Sequence, residues 1–576
     1  MAATEVVPYV DRLVHSWQAR LTGGQSPTSS AMACLDWAVH LAQSPGKQLQ
    51  LTGKALRGSG RLAMFAARRS AGQPVEPCIT PLPQDHRFDH PSWQRWPFVL
   101  EQQAFLLVQQ WWHNATTGIE GVSAHHEEAT AFAARQWLDM WSPSNFALTN
   151  PEVLTATARE GGANLVRGGV LAVQDILRRV AGEPPAGAQD FTVGERVAVT
   201  PGRVVLRNRL IELIQYDPVT PTVHPRPVLV VPAWIMKYYI LDLSPENSLV
   251  RYLVEHGHTV FTISWLNPTS QDRDLSMEDY RTLGVEAALD VVNAIVPGER
   301  VHAVGYCLGG TLLAIAASVL GRDEPTDRLA GITLFAAQTD FTEAGELTLF
   351  IDEDQVSFLE DQMWERGYLT GEQMAGAFQM LRSADLVWSH NVRSYLLGRR
   401  EALGDLMAWN ADTTRLPFRM HSEYLRSLFV RNDLFEGRYV AGGRTVALSD
   451  IRVPLFVVGT ERDHVAPWRS VHKLHLAVDA DLTFLLTSGG HNAGIVCPPG
   501  TPHRAYRVAT HHEGERHLDP DAWQRIAPRH EGSWWPAWER WLTEGDDRQV
   551  VPPPTGAPDA GYPPLGRAPG TYVLQR

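Results

Sequence analysis

Two textures divide the chain. Up to about residue 190, apolar residues recur at helical spacing in long stretches such as Phe98–His113 and Glu127–Trp141, and strand-like runs are scarce. From Phe191 onward, short β-branched and apolar runs alternate with helical stretches, a pattern that predicts an α/β domain built on a mainly parallel sheet. Val228–Val231, Thr259–Ser264, Val301–Val304, Ile332–Ala336, Leu455–Val458 and Leu482–Leu486 are its predicted buried strands. Between Asp340 and about Asp450 the strand signal lapses, which predicts a helical cap inserted over about 340–450. The expected layout is a helical N-terminal domain over 1–190 and an α/β domain over 191–576. The last segment, about 551–576, is rich in Pro, Gly and Ala and is expected to be flexible.

Composition narrows the class. Apolar residues make up 44% of the 576 residues and charged residues 20%, as in a soluble globular protein. The formal net charge of -13 leaves no basic excess to displace counterions from phosphates, which argues against a nucleic-acid partner. Cys34, Cys78, Cys307 and Cys497 are scattered without metal-ligand spacing, so neither a disulfide framework nor a zinc site is expected, and a reducing cytoplasm fits. Glu5, Asp11 and Arg12 interrupt the apolar run that an export signal would need. Ala303–Gly321 carries no charge and approaches the length of a membrane helix. Gly305, Gly309 and Gly310 favour a strand, a sharp turn and a buried helix there instead.

That turn carries the chemistry. Val301-His-Ala-Val-Gly-Tyr-Cys-Leu-Gly-Gly310 centres Cys307 in G-x-C-x-G, after a strand and before an Ala/Leu-rich helix. This is the nucleophile elbow of the α/β-hydrolase fold, with Cys in place of Ser. Unpaired N–H groups at the helix start favour a thiolate on Cys307, and the N–H of Leu308 is placed to stabilise an oxyanion. A second donor is expected from Pro232-Ala-Trp-Ile235, with Trp234 the candidate. Asp463 follows the Leu455–Val458 strand and His491 follows the next, so the chain order is nucleophile, acid, base, as the fold requires. His464 lies in the loop of the acid and cannot easily fill the separate histidine position. The runs His125-His126-Glu127-Glu128 and His511-His512-Glu513 lack helical i, i+4 histidine spacing with a third ligand. They are read as solvated surface, and no metal is expected.

A cysteine conserves acyl-transfer potential. Exchanging a coenzyme A thioester for an enzyme thioester is close to thermoneutral, and attack by a hydroxyl then runs downhill to an oxygen ester. This favours an acyltransferase over a cysteine hydrolase of the same fold, such as a thioesterase or a polyester depolymerase, which remains the alternative.

Several separate blocks resemble polyhydroxyalkanoate synthases: Leu229–Arg251 with Gly257–Pro268, Trp141–Phe146 with Thr149–Glu152, Gly305–Gly310, Trp409–Pro417, and the Asp463 and His491 loops. The resemblance runs from about residue 85 to 542 and is closest to single-subunit, class I-like synthases. Ala233-Trp-Ile-Met236 departs from the Pro-x-Ile-Asn wording of many members. The resemblance implies a nucleophile at Cys307, an acid at Asp463 and a general base at His491. It also implies polymerisation of 3-hydroxyacyl groups with release of coenzyme A, which is substrate and product rather than cofactor. A homodimer associated with cytoplasmic polyester granules is implied as well. Phe341–Gln355 looks more like synthases that use short acyl groups. In the N-terminal region, Lys54, Arg57, Arg61, Arg68 and Arg69 interleave with Leu51, Leu56, Leu62, Met64 and Phe65, a mixture suited either to a granule surface or to docking within the protein.

Overall fold

The structure is a computed structural model that describes residues 3–323, 328–381 and 387–576. It divides into two units, one of residues 1–16, 187–374 and 403–576, the other of residues 17–186 and 375–402. Two segments thus depart from a single cut at residue 190. The first helical turns join the sheet-bearing unit because the His15 ring meets Asp361 at 2.6 Å and the Arg12 guanidinium lies 5.1 Å over the Trp364 ring. Part of the expected cap joins the helical unit, where Asn164 donates to the Leu396 carbonyl at 2.8 Å and Arg400 pairs with Asp175 at 2.8 Å. Gly168 permits that packing, since a Cβ there would stand 1.9 Å from the Tyr395 carbonyl oxygen.

The sheet-bearing unit is organised by eleven strands: β1 (Gly202–Arg207), β2 (Ile211–Tyr216), β3 (Val228–Val231), β4 (Val260–Trp265), β5 (Val301–Tyr306), β6 (Leu329–Phe335), β7 (Leu455–Thr460), β8 (Leu482–Thr487), β9 (Ala505–His511), β10 (Arg529–Glu531) and β11 (Gly566–Arg567). Their spatial order is β10-β9-β8-β7-β6-β5-β3-β4-β2-β1-β11. The central strands β4, β3, β5, β6, β7 and β8 are mutually parallel. Antiparallel β2, β1 and β11 extend one edge, and β9 and β10 the other. Every residue of β3, β4, β5, β6, β7 and β8 is buried, as expected when helices cover both faces of a parallel sheet.

The helix Leu308–Asp323 is buried from Leu308 through Val319, which accounts for the uncharged stretch as β5 plus a core helix. No helix among the described residues is long and apolar enough to cross a membrane. The insertion between β6 and β7 contains the helices Glu353–Arg366, Asp405–Asn410 and Phe418–Tyr424.

The C-terminal tail differs from the flexible segment expected of its composition. Its residues Gly566–Arg567 pair with β1, and its backbone is held by the buried side chain of Glu212. Glu212 accepts from the N–H groups of Thr571 at 2.7 Å and Tyr572 at 2.9 Å, and from the Thr571 hydroxyl at 2.8 Å. Lys237 donates to the Gln575 carbonyl at 2.6 Å, and Gln215 bonds to Pro554 and Gly556. Removing one partner from such a buried set strands the rest, so Glu212→Ala is expected to cost about 3 kcal/mol in a denaturant melt. It should also make the tail the first site cut by protease, and an unchanged digestion pattern would contradict this role.

In the helical unit, Pro45–Ser70 carries the basic and apolar mixture. Leu51 and Phe65 are buried, and Arg69 donates to the Gln94 carbonyl at 3.0 Å, while Lys54 bonds Asn114 and Arg61 bonds the Cys78 carbonyl. Three of the five basic side chains are thus engaged within the unit, while Leu56 and Met64 stay exposed.

Candidate active site

All the candidate residues emerge from the carboxyl end of the parallel strands. Cys307 is the single residue between β5 and the helix Leu308–Asp323, at a φ of 52°, a left-handed conformation that costs a residue with a Cβ. Neighbouring glycines make the turn fit. A Cβ on Gly305 would lie 2.3 Å from the Gly310 Cα, and one on Gly309 would lie 2.1 Å from the Val231 carbonyl oxygen. The Cys307 N–H is held by the Phe335 carbonyl at 2.9 Å, which anchors the turn to the end of β6.

Asp463 lies beyond β7 and His491 beyond the adjacent β8. Their loops are stitched together by Glu461 N–H to Thr487 at 2.9 Å and Arg462 N–H to Gly489 at 2.8 Å. Trp534 and Trp535 brace the histidine loop from below by donating to the carbonyls of Gly494 at 2.9 Å and Ile495 at 3.0 Å. The His491 Nδ1 meets Asp463 Oδ2 at 2.8 Å, with the carboxylate fully buried. That carboxylate also accepts from the Thr460 hydroxyl at 2.9 Å and from the N–H groups of Val465 at 2.9 Å and Ala466 at 2.8 Å. The Nδ1 is therefore the protonated nitrogen, and Nε2 is left for Cys307.

The electrostatics agree with that geometry. Burial alone would push the His491 imidazole down, but the Asp463 carboxylate, and then the Cys307 sulfur as charge and hydrogen-bond partner, outweigh it and hold the ring well above the ordinary histidine range. Burial likewise opposes charge on Asp463, yet His491 and the backbone and hydroxyl donors keep its carboxyl below the ordinary range. The structure thus bonds His491 to Asp463, with Cys307 near enough to act on the imidazole.

Leu308 opens its helix, so its N–H has no intrahelical acceptor. Trp234 follows β3, and Gly309 lies against the end of that strand, which places the Pro232–Trp234 backbone beside the elbow. The indole of Trp234 is turned into the core, with ring centroids 5.9 Å from Trp265 and 5.0 Å from Tyr280, and its carbonyl is fixed by the Thr414 hydroxyl at 2.5 Å. Only its backbone could take part in chemistry.

Three neighbours were not singled out in the sequence. Tyr306 donates its hydroxyl to Asn492 at 2.6 Å, and its ring lies 5.7 Å from the His491 ring. Burial, then the charge of Cys307, raises Tyr424 well above the ordinary tyrosine range. Tyr424 packs with Phe341 and Phe429 at centroid distances of 6.3 Å and 5.4 Å, forming an aromatic wall. Adjacency to the elbow and to His491 was the available signal for Tyr306 and Asn492; nothing in the sequence pointed to Tyr424. Away from this site, His126 pairs with Asp36 at 2.6 Å and His512 with Asp481 at 3.2 Å, each an ordinary carboxylate contact.

Comparison with known proteins decides the family. Residues 84–253 match the family described as "Poly-beta-hydroxybutyrate polymerase (PhaC) N-terminus", residues 5–47 match "Poly-beta-hydroxybutyrate polymerase N terminal", and residues 226–496 match "alpha/beta hydrolase fold". A "Poly(3-hydroxyalkanoate) polymerase" of Methylorubrum extorquens is 41% identical over 539 residues, covering 93% of this chain and 88% of that protein. The chain belongs to the poly(3-hydroxyalkanoate) polymerase family. A further member, the "Poly(3-hydroxyalkanoate) polymerase subunit PhaC" of Rhizobium meliloti (strain 1021), is 38% identical over 513 residues, 88% of this chain and 82% of that one. Membership places the chain among the transferases of polyhydroxyalkanoate biosynthesis, on the α/β-hydrolase fold expected from its elbow.

Proposed function

We propose that the chain polymerises 3-hydroxyacyl groups from their coenzyme A thioesters through a thioester on Cys307. The observation that carries this reading is a cysteine on a left-handed strand–helix turn facing a histidine already bonded to a buried aspartate. His491 takes the proton from the Cys307 Sγ, and the thiolate attacks the substrate carbonyl. Negative charge on the carbonyl oxygen is met by the N–H of Leu308 and by the backbone beside Trp234. The C–S bond to coenzyme A breaks, and its thiolate leaves with the proton from His491. The 3-hydroxyl of the next acyl unit then gives its proton to His491 and attacks the Cys307 thioester. One ester bond forms, and the sulfur is released. Asp463 balances the imidazolium in both halves. The reaction as written needs no cofactor, since coenzyme A enters and leaves with the substrate.

The alternative acceptor is water, which would make the chain a hydrolase. Supplying 3-hydroxybutyryl-CoA and following released thiol together with product mass separates the two. Polymer accumulating in step with thiol is the expected result, and free 3-hydroxybutyrate as the sole product would overturn the proposal. The aromatic wall of Phe341, Tyr424 and Phe429 supports a short acyl side chain, in line with the Phe341–Gln355 resemblance.

We also infer that the chain works at the surface of cytoplasmic polyester granules. On the helix Ala163–Val180, the apolar residues Val166, Val170, Val173, Ile176, Leu177 and Val180 are each at least half exposed at helical spacing. That stripe suits an apolar polymer. Val166→Glu with Val173→Glu should lower granule co-sedimentation several-fold while turnover of soluble substrate persists; unchanged co-sedimentation would contradict it.

A further inference from the structure

At the end of the sheet opposite Cys307, three side chains from distant segments converge. His224 precedes β3 and His258 precedes β4, so both stand at the amino ends of adjacent parallel strands. Glu539 reaches them from the helix Trp535–Thr543. One ligating atom from each lies within 4.8 Å of the other two. The two imidazoles stack with centroids 4.8 Å apart and planes 28° from parallel, and the His224 backbone N–H donates to the Gly257 carbonyl at 2.7 Å, which ties the two loops together.

The buried histidine is the telling member. The His258 side chain is 2% exposed, and its Nε2 points toward Glu539 Oε1 at 3.7 Å, with no hydrogen-bond partner. A protonated Nε2 would close on the carboxylate to about 2.8 Å. An unprotonated one would set two lone pairs against each other in a desolvated site. The gap of 3.7 Å is that of a loose ion pair and is too long for a hydrogen bond, so the buried nitrogen is left without a close partner. Two ligands of a tetrahedral zinc, each about 2.0–2.1 Å from the metal, stand about 3.3 Å apart, so a modest side-chain adjustment would admit the ion.

We propose that His224, His258 and Glu539 form a site for a divalent cation of the zinc class. The ion would bind the Nε2 of His258, a ring nitrogen of His224 and a carboxylate oxygen of Glu539, with water completing the tetrahedron. Gln549 supplies an outer partner, its amide lying 3.2 Å from the His224 Nδ1. Turned so that its oxygen accepts the Nδ1 proton, that amide would fix the tautomer that offers Nε2 to the metal. The site pins the loops before β3 and β4 to a C-terminal helix, so its role is to hold the sheet's far end rather than to act on substrate. The contiguous histidine motifs considered in the sequence could not reveal it, because its ligands meet only in the folded chain.

The test uses full-length protein stripped with chelator, in a Cys307→Ala background so that the thiol cannot bind the metal. Titration with zinc sulfate by calorimetry, and with cobalt chloride by visible absorption, should give one tight site per chain. The cobalt spectrum should be tetrahedral, without thiolate charge transfer. Glu539→Gln, at a partly exposed and conservative position, should abolish the cobalt band, and Gln549→Ala should weaken zinc binding about tenfold. His224→Ala should do as Glu539→Gln does. Absence of a tight site, or equal zinc stoichiometry and cobalt spectra in the parent and Glu539→Gln proteins, would overturn the proposal and leave His258 and Glu539 as a loose ion pair.

Discussion

Cys307→Ala is expected to reduce kcat on 3-hydroxybutyryl-CoA by on the order of 10⁶-fold while leaving the melting temperature nearly unchanged, because removing a nucleophile forfeits the entire covalent pathway. The substitution deletes one sulfur at a half-buried turn and leaves the glycine contacts and the Phe335 hydrogen bond that shape it. Alanine still carries a Cβ at the positive φ, so backbone strain is unaltered. Cys307→Ser refines the point. Serine keeps the shape but converts the acyl-enzyme to an oxygen ester, so chain extension loses its downhill step. Steady-state thiol release measures both, and a Cys307→Ala protein retaining more than a few per cent of turnover would exclude this sulfur as nucleophile.

The second large effect is expected from Asp463→Asn, with turnover falling about 10⁴-fold. Two causes act together. An asparagine amide can donate to the His491 Nδ1 and so select the tautomer whose Nε2 already carries a proton and cannot take one from sulfur. The substitution also removes the strongest influence raising the imidazole, leaving only Cys307 to oppose burial, so the imidazolium formed during catalysis loses its main counter-charge. Stability should respond with a defined sign. The raised His491 contributes stability that is complete below its unfolded pKa of about 6.5 and is lost as pH rises through its higher folded value. The lowered Asp463 contributes stability present above its unfolded pKa of about 3.9 and lost as pH falls through its folded value. Wild type should therefore exceed Asp463→Asn in stability most clearly between about pH 4 and 6.5. Denaturant melts across pH 3 to 9 would check this, and a gap that grew steadily toward alkaline pH would contradict the assigned pair.

Much of the sheet was legible because its central strands are short, apolar and bounded. The predicted Leu455–Val458 and Leu482–Leu486 became Leu455–Thr460 and Leu482–Thr487, each extended toward the loop that carries Asp463 or His491. The strands left unread lie at the edges. β2 is fully buried, yet Glu212 and Gln215 interrupt its apolar run, and both are satisfied by tail residues more than three hundred positions away. β9 is only partly buried and alternates weakly, and β11 consists of two residues in a Gly- and Pro-rich stretch. The tail read as flexible for the same reason: its order comes from remote hydrogen bonds rather than from an apolar face of its own. Among site residues, Cys307, Asp463 and His491 were marked by turn glycines and chain order, whereas Tyr424 comes within the electrostatic influence of Cys307 from the insertion by tertiary packing alone.

The covalent step can be read directly. Protein mixed briefly with 3-hydroxybutyryl-CoA, quenched in acid, digested and weighed by mass spectrometry should carry hydroxybutyryl units on the peptide containing Cys307. The adduct should be released by neutral hydroxylamine and absent from Cys307→Ala. Polymer forming while that peptide stays unmodified, or an adduct on Cys34, Cys78 or Cys497 instead, would contradict the assignment of the sulfur at the elbow as the acyl carrier.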